Sequence, residues 1–243
     1  ADLDALVELC ARRGLHLIED CAHAHGTFWR GRGVGSWGSF GSFSMQSSKL
    51  MTAGEGGVLI CNDDQLRDLA RSYANCGRVE GEWFYHHVRY GANLRMTEWQ
   101  GAVLSAQLER FPEQNRRRNQ NAVALGEALA RVEGIRPQFR DPRMNSQGNY
   151  CYVFHYDRTA FAGMDLRLFE KALGAEGVPM GVSYPSLNEL EVFRGGNFGP
   201  RLRASAPKID YASLRLPVAE HAARSTVWLQ HRLLLGEPDQ VLD

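Results

Sequence analysis

The sequence lacks any apolar run long enough for a helical membrane span. Its longest stretches, such as Gly57-Val58-Leu59-Ile60-Cys61 and Leu233-Leu234-Leu235, fall far short of the roughly 18 to 20 residues required. It also lacks net charge: 28 Lys plus Arg balance 28 Asp plus Glu. Nothing in that balance draws the chain toward nucleic acid or an anionic bilayer, so neither is expected as a partner. Paired cysteines are missing too. Cys10, Cys21, Cys61, Cys76 and Cys151 are dispersed without a CxxC pair, which argues against a disulfide framework or a zinc site and fits a reducing cytoplasm. No basic and apolar leader precedes the first element, and the chain opens on a helical pattern already in progress, so its start reads as cut.

What is present is an ordinary globular composition over 243 residues, 44% hydrophobic and 23% charged, enough for one or two domains. Leu3, Leu6, Val7 and Cys10 recur at helical spacing before Gly14, predicting an amphipathic helix over 2–13 with a left-handed cap. A short apolar strand, 15–19, runs into Asp20, which puts an acid at a strand's carboxyl end, the edge where α/β proteins take ligands. Strands are predicted near 40–45 and 57–61, and Asp63 is expected to cap a helix with Leu66, Leu69, Ala70 and Tyr73 on one face. Residues 75–95 lack periodicity and read as a long ordered loop. Thr97 and Gln100 form a capping-box signature. Trp99, Ala102, Val103 and Ala106 are assigned to the buried face of a helix that ends near Phe111-Pro112. A second helix to Val132, a strand over 150–156 and a helix over 166–173 complete a smaller α+β domain, with the boundary near residue 112.

Several motifs have plain readings. Gly31, Gly33 and Gly35 do not lead from a strand into a helix, so they read as a loop rather than a dinucleotide fingerprint. Arg116-Arg117-Arg118 reads as a solvated helix face. Asp20, Cys21, His23 and His25 have only weak metal-site spacing, and no metal is assigned. Ser44-Met45-Gln46-Ser47-Ser48-Lys49 followed by Thr52-Ala53-Gly54-Glu55-Gly56-Gly57 is more pointed. Hydroxyls beside glycines suit a phosphate, and a lysine in a partly dry pocket can form an imine. With an acid on a neighbouring strand, the set matches the needs of pyridoxal phosphate.

As a whole the sequence resembles the DegT/StrS-type aminotransferases, pyridoxal-phosphate enzymes of fold type I. The resemblance rests on Asp20-Cys21-Ala22-His23-Ala24-His25-Gly26, on the segment from Phe43 to Gly57 around Lys49, on Asn75-Cys76-Gly77, and on Gly91-Ala92-Asn93-Leu94-Arg95-Met96-Thr97-Glu98. It implies a three-layer α/β large domain, N-terminally incomplete and ending near residue 112, and a small α+β C-terminal domain over 113–243. Lys49 would condense with the aldehyde of pyridoxal 5'-phosphate and Asp20 would pair with its ring nitrogen. His23 would lie near the ring hydroxyl, Ser44 would bind the phosphate, and Asn93 would reach the phosphate of a neighbouring subunit. Members are homodimers with a shared site, which implies that the partner orders the loop over 75–95.

Met45-Gln46 before the lysine and Leu50-Met51-Thr52 after it are closer to the glutamine-using aminocyclitol branch and to 3-amino-5-hydroxybenzoate synthases than to the nucleotide-sugar branch. The resemblance therefore implies transfer of an amino group from glutamine or glutamate to a keto sugar or ketocyclitol in antibiotic biosynthesis. A dehydrating, aromatising synthase is the enzymatic alternative, and a non-catalytic partner subunit the alternative of another class. His86, His87 and Tyr184 are candidate acceptor contacts.

Overall fold

A computed structural model describes residues 1–196, 199, 201 and 209–242. The chain divides into two compact units: residues 1–121 with 140–150, and residues 122–139 with 151–243.

The first unit begins with α1 (Leu3–Arg13), whose N-cap Asp2 accepts from the Ala5 amide and whose cap Gly14 sits at φ +61°, as the sequence predicts. It leads into β1 (Ile18–Asp20). β1 pairs in parallel with β4 (Phe40–Ser44), and β4 pairs in antiparallel fashion with β5 (Gly57–Ile60). Between β1 and β4 lies a ribbon of β2 (Phe28–Trp29) and β3 (Arg32–Gly33), joined at Arg30 and Gly31, both with positive φ, the conformation of a tight hairpin turn.

The glycine string is a loop, and its shape has a cause that the sequence does not show. Buried Glu19 accepts three backbone N–H groups from it: Gly35 at 2.6 Å, Trp37 at 2.7 Å and Gly38 at 2.8 Å. The loop thus wraps the chain's own carboxylate.

The helix α2 (Asp64–Ala74) is capped by Asp63, as expected, but Leu69 and Tyr73 of its assigned inner face are exposed. Residues 75–95 form no regular element and are tied by the bridges Asn75–Asn93 and Arg78–His87.

Two helices were expected across Pro112; the structure has one, α3 (Glu98–Leu129). Phe111 and Asn115, buried one turn apart on either side of Pro112, both pack on Gly26, and Asn115 donates to its carbonyl. Tertiary anchoring therefore carries the helix through a residue that would end it in isolation. The compact units part between residues 121 and 122, inside this helix.

The capping box forms as read: Thr97 Oγ1 accepts from the Gln100 amide, and Gln100 Oε1 accepts from that of Thr97. The assigned buried face does not. Trp99 is 85% exposed and Val103 47%, because the inward positions are taken by Gln100, which donates to the Glu55 carbonyl, and Gln107, which bonds both backbone groups of Thr52. The arginine run departs from its reading as well. Arg116 is exposed and pairs with Glu113, but Arg118 falls on the Phe111–Asn115 stripe, is 2% exposed, and burial pushes its guanidinium down to about 10.

In the second unit, β8 (Cys151–Tyr156) and β10 (Thr226–Gln230) form the centre of an antiparallel sheet ordered β6-β8-β10-β9, with β6 at Ile135–Pro137 and β9 at Met180–Val182. Alternation places Tyr152, Phe154, Tyr156, Val227 and Leu229 on one face, which packs with Leu166 of α4 (Leu166–Ala175) and with Leu234. Val227 and Leu234 are fully buried; a Leu234→Ala change at such a site costs about 2–5 kcal/mol. Among the described residues no helix is long and apolar enough to cross a membrane.

Candidate active site

The site grows from the carboxyl ends of two parallel strands. Asp20 ends β1 and lies opposite Ser42 of β4, while Ser44 ends β4. Residues paired across strands share a face, as do residues two apart, so Asp20, Ser42 and Ser44 present their side chains on the same side of the sheet. Phe43 points the other way and meets the ring of His25 edge-on at 5.4 Å.

Beyond each strand the chain turns back on itself. The Ala22 amide donates to Asp20 Oδ1 at 3.0 Å, and that of Cys21 to the Ser42 carbonyl. After Ser44, whose hydroxyl accepts from the Gln46 amide, the Met45 carbonyl collects the Ala53 amide and the Thr52 hydroxyl. This small loop carries Lys49.

A third segment completes the site, one that no sequence motif marks. Ser146 donates to the Gly26 carbonyl and the Gly148 amide to Thr27 Oγ1, which fixes residues 146–148 beside the Asp20 turn. The approach is close: a Cβ on Gly148 would lie 2.6 Å from the His25 carbonyl and 3.3 Å from that of His23. Asn149, at φ +50°, then turns the chain so that Tyr150 stacks on His23 at 4.0 Å. The Tyr150 hydroxyl lies 2.9 Å from that of Ser48, and Lys49 Nζ sits 4.7 Å from the centre of its ring. No motif flags Tyr150; only its place at the head of an alternating strand was visible.

The electrostatics agree with this grouping. Burial lowers the pKa of His23, the Lys49 ammonium lowers it further, and Asp20 opposes both. Buried His25 is likewise held toward its neutral form, chiefly by burial and also by Lys49. The Cys21 thiol, buried and beside Glu19 and Asp20, is pushed up to about 12 and is not available as a thiolate. Among the described residues Lys49 Nζ has neither a hydrogen-bond nor an ion-pair partner, and Asp20 Oδ2 has none.

Lys49, Asp20, His23 and Ser44 are thus gathered at two strand ends. Asn93 makes its contacts within the 75–95 loop, bridging to Asn75 and accepting from the Arg95 amide. His87 bonds the Cys76 carbonyl, His86 lies 3.7 Å from Glu82, and Tyr184 is an exposed residue of the second unit.

Residues 1–241 match the model of the DegT/DnrJ/EryC1/StrS aminotransferase family. The whole chain is 38% identical to the L-glutamine:2-deoxy-scyllo-inosose aminotransferase of Streptoalloteichus tenebrarius, and 98% of it is 33% identical to the 3-amino-5-hydroxybenzoate synthase of Amycolatopsis mediterranei. It spans 60% of the length of each. The crystal structure of a 3-amino-5-hydroxybenzoic acid synthase superposes over the full chain with a TM-score of 0.84 at 31% identity, 62% of that structure being covered. The fold is that of the pyridoxal-phosphate-dependent aminotransferases of fold type I. With its lysine, acid and serine at the carboxyl ends of paired strands and the family pattern running from end to end, the chain belongs to the DegT/DnrJ/EryC1/StrS aminotransferase family.

Proposed function

We propose that the protein is a pyridoxal-phosphate-dependent aminotransferase that moves an amino group from glutamine or glutamate to a ketocyclitol or keto sugar in aminocyclitol antibiotic biosynthesis. The observation that carries this reading is the uncommitted Lys49 amine, held over Tyr150 and grouped with Asp20 and Ser44. An amine without a carboxylate partner is free to condense with an aldehyde, and a carboxylate with one open oxygen is free to take an N–H. The residues therefore fit the cofactor. Ser44, at the end of β4, would hold its phosphate, Asp20 its ring nitrogen, and His23 the side of its ring hydroxyl. When bound, the cofactor supplies an electron sink for the carbon that loses its proton.

The remaining work falls to the chain. Asp20 would keep the cofactor's ring nitrogen protonated. Lys49 Nζ would act as the general base and acid that takes the proton from the donor carbon and delivers it to the former aldehyde carbon of the cofactor, and it would work in reverse with the acceptor. Tyr150 and His23 wall one side of this amine and limit the paths it can take.

In this reading the first unit is the cofactor-binding part of the large domain and the second is the small domain. The working form is a cytoplasmic homodimer, supported by five cysteines, none of them in a disulfide among the described residues, and by the exposed aromatics Trp83, Tyr85, Tyr90 and Trp99, which a second copy would cover. Asn93, carried by the same loop, would then serve the partner's phosphate site. A dehydrating synthase is the second reading, favoured by the similarity to 3-amino-5-hydroxybenzoate synthases.

The test is borohydride reduction with pyridoxal phosphate, followed by peptide mapping, on this chain and on the longest natural polypeptide that contains it. The sequence holds three lysines, Lys49, Lys171 and Lys208, so the map is unambiguous. Label confined to Lys49 supports the reading, and its absence from Lys49 in both samples overturns it. Consumption of a scyllo-inosose-type ketone rather than an aminodehydroshikimate-type substrate then separates transaminase from synthase.

A further inference from the structure

The second unit holds a cleft of about 940 Å³ that the proposed reaction does not use. Its lining is cationic, with Arg136, Arg158, Arg167 and Arg224 beside His155 and His221. The acids that share it are engaged. Asp157 accepts the amide and hydroxyl of Thr159, Asp165 accepts the Arg167 amide, and Glu189 pairs with Arg224 at 3.0 Å. Arg167 is paired with Glu170, and Arg158 donates to the Gly163 carbonyl. Arg136 differs from all of these: it is exposed, and among the described residues its side chain has neither a hydrogen bond nor an ion pair.

Strand register explains why the cationic groups converge. Arg136 of β6 faces His155 of β8, which faces Thr226 of β10. The three side chains stand in a row on the sheet face opposite the core, with His155 Nδ1 3.5 Å from Thr226 Oγ1. His221, from the helix Pro217–Ser225, lines the same cleft. The groups repel one another: burial, Arg136 and His221 all hold His155 toward its neutral form. An unmet guanidinium fork beside two imidazoles that an anion would draw toward their charged form is an arrangement that an oxyanion satisfies.

We propose that this cleft is a binding site for a small oxyanion, a carboxylate or a phosphate group, seated on the Arg136 fork and flanked by His155 and His221. Anion binding at this cleft does not depend on the proposed transamination.

Imidazole ¹H–¹⁵N spectra of the full chain, titrated with inorganic phosphate and separately with glutarate, read it directly. Potassium chloride at matched ionic strength is the reference. His155→Gln and His221→Gln assign two of the eight histidines. The expected result is a saturable shift of both signals, with affinity about tenfold weaker in Arg136→Gln and intermediate in Arg136→Lys, which keeps the charge without the fork. Saturation by phosphate alone assigns a phosphoryl ligand, by glutarate alone a carboxylate, and by both a general oxyanion site. No saturable shift with either anion, or unchanged affinity in Arg136→Gln, overturns the proposal.

Discussion

Lys49 Nζ lies 4.7 Å from the centre of the Tyr150 ring, and the same ring stacks on His23 at 4.0 Å. One aromatic side chain thus positions both the amine and the imidazole of the site, from a segment about a hundred residues further along the chain.

Removing that ring should loosen the lysine. A cation–π contact at a partly exposed site is worth about 1 kcal/mol, roughly fivefold in rate. Tyr150→Leu is therefore expected to lower kcat about fivefold and to slow borohydride labelling of Lys49. Tyr150→Phe, which keeps the ring and gives up the hydroxyl that meets Ser48, should stay within about twofold of the parent in both. Equal kcat and labelling in the leucine and phenylalanine variants would show that the ring face does nothing for Lys49.

Asp20→Asn keeps the shape of the strand end and removes the charge proposed to hold a proton on the cofactor ring. The expected loss of transamination is about a hundredfold or more, with the far-ultraviolet spectrum and melting temperature near those of the parent. Steady-state rates with glutamine and a ketocyclitol check it; a loss of less than about threefold would remove Asp20 from the assigned role.

Glu19 bears on stability rather than chemistry. Its carboxylate is the shared acceptor for Gly35, Trp37 and Gly38. In Glu19→Ala these donors, one buried and two half-buried, lose their partner, at an expected cost of about 2–4 kcal/mol. Urea unfolding should show a lower midpoint with an unchanged slope.

His25 makes stability depend on pH. Burial holds its folded-state pKa below the ordinary 6.5, so the unfolded chain binds the proton more readily. Its contribution is complete above about pH 6.5 and is lost as pH falls through the lower folded-state value. Melting temperatures should decline from pH 7.5 toward pH 5, and His25→Phe should flatten that decline. The slope left behind belongs to His23 and His155, which are shifted in the same direction.

The parts legible in the sequence are those governed by neighbours a few residues apart. The caps Asp2, Gly14 and Asp63 and the Thr97–Gln100 box came through because each is a short-range hydrogen bond or a local φ requirement. Asp20, Ser44 and Lys49 were visible because strand ends and small-residue loops leave marks in composition. The inner faces of α2 and of the start of α3 were misread for a related reason: periodicity shows that a helix has an apolar stripe but not what that stripe meets. In α3 the glutamines, each needing a backbone partner, took the inward positions.

Read alone, the sequence marks the two capped helices α1 and α2 and the strands that carry Asp20 and Ser44 to their carboxyl ends, and it places Lys49 beside a loop of small residues. Tertiary structure decides that Tyr150 roofs the lysine, that Glu19 shapes the glycine loop, that α3 runs through Pro112, and that Arg118 is buried. Each of these joins or buries groups through contacts made between distant segments; Ser48 and Tyr150, for example, are 102 positions apart. Such pairings leave no periodic trace in the chain, because they arise only when separate elements pack and every buried polar group must find its partner.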